Sequence, residues 1–161
     1  MSGPLRVLIL CTGNSARSQM AEALFNSMGK GRIVAESAGS QPAARVNPFA
    51  IETLEHFKIP FAAHPPRGLD GLDRQHWDFI LTVCDRARES CPVFPGRPMT
   101  AHWGMTDPAE VEGSDDAKRK AFRDAFVLLR RRVELMLALP IESLERMMLE
   151  AKLRAIADQA R

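Results

Sequence analysis

Apolar positions along this chain recur with two different periods, and the change from one to the other marks its elements. Leu5 to Leu10 is a nearly continuous apolar run. A strand with one wet face would alternate, so a continuous run predicts a strand covered on both faces, as in a parallel sheet. Met20, Leu24 and Met28 then recur at helical spacing, and Gly29 and Gly31 end that helix. Ile33 to Ala35 predicts a second strand, closing with Ser37, Ala38, Gly39 and Ser40. Asn47 and Pro48 open a helix, the one as cap and the other in the first turn, with Ile51, Leu54 and Lys58 on one side and Pro60 at the end. Asp78 to Val83 predicts a third strand running into Cys84, and Met99 to Trp103 a weaker fourth. From about Ser114 the period is helical again, with Phe122, Phe126, Leu129, Val133 and Met136 as its stripe. Pro140 interrupts it, and Ile141 to Gln159 predicts one more amphipathic helix with Leu144, Met148, Ala151 and Ala155 in line.

Strands alternating with helices predict an α/β fold: a four-stranded parallel sheet with helices on both faces and a C-terminal helix beyond it. The expected division is a domain over 1–139 and a helical extension over 140–161. Sites in such sheets form at the carboxyl ends of strands. Cys11, Cys84 and Asp107 each follow a predicted strand, so all three can meet at that edge.

Composition narrows the class. The 161 residues suit one domain, and 45% apolar residues can build a core. Lys and Arg number 22 against 20 Asp and Glu, a net charge of +2, which argues against a protein that mainly grips nucleic acid or anionic lipid. No apolar run reaches the roughly 18 residues of a membrane span, and no signal-peptide pattern opens the chain. Three cysteines do not suit a disulfide scaffold and point to thiols in a reducing cytoplasm.

The candidate chemistry begins at Cys11. A cysteine, five residues and an arginine lie between a predicted strand and a predicted helix. Gly13, Asn14 and Ser15 tolerate the backbone angles that turn successive N–H groups inward. An amide nest at a helix N-terminus, here Thr12, Gly13, Asn14, Ser15, Ala16, Arg17 and Ser18, suits a tetrahedral dianion. Arg17 adds a two-pronged donor, and fields of this kind favour thiolate, the nucleophilic form of cysteine. Ser18 can donate to the sulfur. A nucleophile facing an oxyanion clamp suits attack on phosphorus or arsenic. The alternative is a small buried Cys11 beside a surface Arg17.

The run Val7-Leu-Ile-Leu-Cys11-Thr-Gly-Asn-Ser-Ala-Arg17-Ser18-Gln-Met-Ala-Glu22 resembles the phosphate loop of the low-molecular-weight protein tyrosine phosphatase superfamily, and Asp107-Pro108 resembles its general-acid motif. The resemblance covers about residues 4 to 138. Phosphatases and arsenate reductases share both motifs. The segment from Thr82 to Gly96, with Cys84 and Cys91, resembles the redox segment of the thioredoxin-coupled arsenate reductases, as do Ser37 to Gly39, Val46 to Pro48 and His102 to Gly104.

The resemblance implies a relay: Cys11 attacks arsenate, Arg17 and the loop amides hold the oxyanion, and Asp107 serves as general acid or poises a thiol. Cys84 then attacks Cys11, arsenite leaves, and Cys91 attacks Cys84. The Cys84–Cys91 disulfide passes to thioredoxin, or to glutaredoxin with glutathione; mycothiol is a further route in relatives. Phosphate and sulfate would compete with arsenate. Cys84 and Cys91 are seven residues apart, roughly 10 Å along an intact helix, whereas a disulfide needs Cα atoms within about 7 Å. Any helix between them must therefore unwind, and Arg86, Arg88, Glu89 and Ser90 tolerate exposure. The competing readings for this pair are inert thiols or a zinc site, which wants four ligands at shorter paired spacings.

Other features fit the reductase branch better than the phosphatases. Ala16 stands where many phosphatases have a second loop cysteine, the chain has no tyrosine, and Ala109 and Glu110 follow Asp107-Pro108. Pro65 and Pro66 fill the stretch through which some relatives bind a monovalent cation, so no cation site is predicted, although Asn14, Glu22 and Ser37 remain; separately, no metal or cofactor is expected. His56, His64, His76 and His102 read as structural, the methionines as core, and Arg130, Arg131 and Arg132 as a solvated face. The C-terminal helix would pack on its predecessor or join a homodimer. The expected function is arsenate reduction; the alternatives are a phosphatase using Cys11, Arg17 and Asp107, and an oxyanion-binding or redox-sensing protein without turnover.

Overall fold

The computed structural model describes residues 3–61, 64–89, 91–92, 94–143 and 146–160. Four parallel strands form one sheet: β1 (Leu5–Cys11), β2 (Ile33–Gly39), β3 (Phe79–Thr82) and β4 (Met99–His102), in the order β2-β1-β3-β4. The apolar run of β1 is explained by its place. Val7, Leu8, Ile9 and Leu10 alternate across the sheet, yet each is at most 3% exposed, so both faces are covered. From β1 the chain crosses to β2 on one side and later to β3 on the other. The carboxyl ends of β1 and β3 thus flank a topological switch point, where open α/β sheets place their sites.

Helices α1 (Arg17–Met28), α2 (Pro48–His56), α3 (Asp85–Glu89), α4 (Asp115–Leu137) and α5 (Arg146–Gln159) complete the fold. Asn47 caps α2 by accepting from Phe49 N–H at 2.8 Å, and Ser114 caps α4 by accepting from Ala117 N–H at 3.1 Å. The expected stripe of α4 is its buried face: Phe122, Phe126, Leu129, Val133 and Met136 are all at most 1% exposed.

Four details differ from the pattern read in the sequence. Strand β2 continues to Gly39, four residues beyond Ala35. Helix α2 stops at His56, and Lys58 follows in a left-handed turn (φ 59°) rather than on the helix. Helix α5 begins at Arg146 after a turn at Pro140, and its buried face is Leu149, Leu153 and Ile156, with Ala160 buried just past its end. Met148 and Ala151 face outward and Ala155 is half-buried; Leu144, like Ser90, lies outside the described residues. The segment has two apolar stripes, and contact with β4 selects one.

Arg132 is the fourth correction: it belongs to the interior, not to a solvated face. It is 2% exposed and donates to the carbonyls of Trp103 (2.7 Å), Gly104 (3.2 Å) and Ala160 (3.1 Å). The end of α5 is thereby tied to the loop after β4. Trp103 adds a second tie, its indole N–H donating to Leu153 O at 3.1 Å. A long helix laid along β4 also covers the edge of the sheet, which would otherwise offer unpaired backbone groups. At the far end of α4, Arg32 donates to Leu137 O (2.7 Å) and Leu139 O (3.1 Å) and pairs with Glu142 (2.8 Å). That pairing holds the Glu142 carboxyl below its usual range.

Candidate active site

Cys11 is the last residue of β1, and the loop after it is shaped by what lies behind it. The carbonyls of Cys11, Thr12, Gly13 and Ser15 accept from the amides of Ser40, Gln41, Ala43 and Asn47 at 3.2, 2.9, 2.9 and 2.8 Å. These bonds turn the carbonyl side of the loop toward segment 40–47 and leave amides for the other side. Gly39 makes the close approach possible: a Cβ there would stand 2.4 Å from Thr12 O and 2.9 Å from Asn14 N.

Asn14 holds the one left-handed position of the loop (φ 51°) and is fully buried. Its side-chain amide donates to Ser18 Oγ (2.8 Å) and Ser37 Oγ (2.9 Å), and its oxygen accepts from Arg67 N–H (3.0 Å). Because Ser18 Oγ accepts from Asn14, its own hydrogen is left for Cys11 Sγ at 2.9 Å. Asn14 N–H also donates to that sulfur, at 3.2 Å. The Cys11 thiol therefore faces two donors. Ser37 in turn donates to Glu22 (2.8 Å), which also accepts from His64 Nε2 (2.9 Å), so the histidine occupies the carboxylate.

Arg17 is the first residue of α1. Its guanidinium donates to Met105 O (3.0 Å) and Val83 O (3.4 Å) and lies 3.4 Å from Asp107 Oδ2. Asp107 is half-buried and accepts from Ala109 N–H at 2.9 Å, so its carboxylate is fixed at the start of a short turn. One arginine thus links the ends of β1, β3 and β4.

Cys84, two residues past β3, caps α3: its sulfur accepts from Ala87 N–H at 3.4 Å and its carbonyl from Arg88 N–H at 3.1 Å. Thr12 Oγ1 lies 3.1 Å from Cys84 Sγ, a side-chain role that no spacing in the sequence announced. A five-residue helix lies between Cys84 and Cys91, and it is the segment that must unwind before their sulfurs can bond. Cys91 is half-buried, and burial pushes its thiol pKa up. All three cysteines are free thiols.

One cleft of about 1710 Å³ is lined by Cys11, Arg17, Cys84, Cys91, His102 and Asp107 among others. Of the expected site residues, Asn14 and Ser18 are fully buried and do not line this cleft, and the others border it. His102 is an addition to them: its ring bridges Thr82 Oγ1 (2.7 Å) and Asp85 Oδ1 (2.8 Å) beside Cys84. Among the described residues no three His, Cys, Asp or Glu side chains cluster to hold a metal ion, and no helix is long and apolar enough to cross a membrane.

Three relatives show what this arrangement resembles. The arsenate reductase of Halalkalibacterium halodurans is 36% identical over 117 residues, spanning 73% of this chain and 84% of that protein. The crystal structure of an arsenate reductase from Archaeoglobus fulgidus superposes with a TM-score of 0.61 at 34% identity, covering 80% of this chain and 98% of that one. The Corynebacterium glutamicum thioredoxin-dependent arsenate reductase gives 0.60 at 25% identity, covering 83% of this chain and 64% of that one. The family profile described as low molecular weight phosphotyrosine protein phosphatase matches residues 6–148. The chain belongs to the low-molecular-weight phosphotyrosine protein phosphatase family.

Proposed function

We propose that this chain reduces arsenate to arsenite by a relay of Cys11, Cys84 and Cys91. The observation that carries the reading is a second buried thiol in the cleft of the first: Cys84, held by the hydroxyl of Thr12, the residue after Cys11. Ester hydrolysis on this fold has work for Cys11, Arg17 and Asp107 and none for Cys84.

The chemistry balances as a two-electron reduction. Cys11 thiolate attacks arsenic(V) and a protonated oxygen leaves as water, with Asp107 supplying the proton. Arg17 and the loop amides hold the remaining oxygens. Cys84 thiolate attacks Cys11 sulfur; the S–As bond breaks, its electron pair stays on arsenic, and arsenic(III) departs as arsenite. Cys91 thiolate then attacks Cys84, the Cys11–Cys84 bond breaks, and Cys11 leaves as thiolate. The Cys84–Cys91 disulfide is reduced by an external dithiol, which attacks as thiolate. Thioredoxin fits this intramolecular product, and free thiols suit a cytoplasmic location.

The test is NADPH oxidation by thioredoxin reductase and thioredoxin with this protein, before and after arsenate. Arsenate-dependent turnover is expected, and Cys84→Ser should abolish it while leaving hydrolysis of a phosphate monoester. Turnover that survives Cys84→Ser overturns the relay. A single round of arsenite release without turnover keeps the relay and points to glutaredoxin with glutathione. No arsenite at all favours the phosphatase reading.

A further inference from the structure

The relay proposed above needs α3 wound before the first exchange and unwound for the second. Helix α3 has five residues, far below the dozen or so at which a helix holds itself in water. Its first turn is held from outside. Ala87 is buried at 3% exposure, while Arg86, Arg88 and Glu89 are exposed. Cys84 sulfur caps the turn through Ala87 N–H. His102 holds Asp85, the first residue of the helix, at 2.8 Å.

The histidine is itself braced. A carboxylate only accepts, so Nε2 carries the hydrogen that points at Asp85. In the neutral ring Nδ1 then accepts the hydroxyl of Thr82 at 2.7 Å, which fixes the tautomer. Gly104 leaves the ring its place: a Cβ there would stand 2.5 Å from Nε2. The His102 side chain is 21% exposed, whereas that of Asp85 is 86% exposed. The fixed partner is therefore the histidine, on β4, and the movable one is the aspartate, on α3.

The two polar anchors differ in how they meet the chemistry. Cys84 attacks Cys11 as thiolate, and once in the disulfide its sulfur carries no charge and is a weaker acceptor for Ala87 N–H, so the first exchange itself weakens the cap. Nothing in that exchange touches Asp85 or His102. We propose that His102, acting through Asp85, is a positioning residue for Cys84: it keeps the first turn of α3 wound, so that Cys91 reaches Cys84 only after Cys84 has attacked Cys11. The latch prevents a short circuit in which Cys84 and Cys91 pair before arsenate is reduced.

The test isolates that pairing. In a full-length Cys11→Ser background, diamide takes two electrons and two protons from Cys84 and Cys91 and leaves their disulfide. Asp85→Ala and His102→Ala should close it about two- to fivefold faster than the background, the effect of losing one solvent-exposed polar pairing between side chains. Amide hydrogen exchange at Ala87 and Arg88 should rise with it. His102→Gln, whose amide N–H still reaches toward Asp85, should stay nearer the background rate, which a loss of packing alone would not do. Asp85→Ala alters an exposed side chain, so it keeps the test valid if His102→Ala fails to fold. One closure rate in every variant overturns the latch and spares the relay. No Cys84–Cys91 disulfide in any variant overturns both.

Discussion

The hydroxyl of Thr12 lies 3.1 Å from the sulfur of Cys84. These residues are 72 positions apart, and the parallel pairing of β1 with β3 is what brings them together. When Cys84 attacks as thiolate, the hydroxyl beside its sulfur is placed to donate to it. Thr12→Val keeps the shape and removes the hydroxyl. A hydrogen bond to a charged group contributes about 1.5–3 kcal/mol, so arsenate turnover should fall roughly tenfold or more. Hydrolysis of a phosphate monoester, which uses Cys11 and not Cys84, should change little. Equal losses in both activities would mean that Thr12 serves the oxyanion loop instead.

Gly39 supports that loop without touching the reaction. The methyl of Gly39→Ala would meet backbone atoms of Thr12 and Asn14, which have no flexible end to move aside. The loop must shift, and amides aimed at an oxyanion lose their convergence. Affinity for phosphate, measured by calorimetry, should drop at least tenfold, while the far-ultraviolet circular dichroism keeps its α/β shape. Unchanged phosphate affinity would show that the loop tolerates the shift.

How much of this was readable along the chain follows from the range of the forces. The continuous run of β1, the stripe of α4 and the Cys11-to-Arg17 spacing are local patterns, and each appears in the structure where the sequence places it. What escaped depends on distant partners. Arg132 sits in a run of three arginines, and only the fold shows that its acceptors are carbonyls at 103, 104 and 160. Helix α5 carries two apolar stripes, so its buried face is decided by β4 and not by its own period. The reach of Thr12 and the bridge made by His102 likewise exist only once strand ends are side by side.

Burial holds the Cys91 thiol above its usual pKa, which gives the resolving step a pH dependence. At neutral pH the thiol is protonated and a poor nucleophile. Its alkylation by iodoacetamide should lag behind that of a small free thiol and rise with pH beyond the ordinary thiol range near 8.5. The sign for stability is the same. A folded pKa above the unfolded one favours the fold fully below the unfolded value, and that advantage is lost as pH rises through the folded value. Cys91→Ala should therefore flatten the alkaline limb of a stability curve measured by urea unfolding. An alkylation profile matching that of a small thiol would place Cys91 in water.

Arg132 joins the last turn of α5 to the loop that carries Met105 and Asp107, both partners of Arg17. Arg132→Met keeps much of the volume and leaves the carbonyls of Trp103, Gly104 and Ala160 without this donor inside the protein. Buried acceptors deprived of a charged donor cost about 2–4 kcal/mol in total, so the urea midpoint should fall clearly. The catalytic consequence is separate. The loop that aims Arg17 would loosen while the three thiols keep their own contacts. KM for arsenate should therefore rise several-fold, with kcat reduced less. Arg132→Lys, which restores a charge but not the fork, should recover part of the stability and little of the affinity. A loss of stability with unchanged KM would confine Arg132 to the packing of α5.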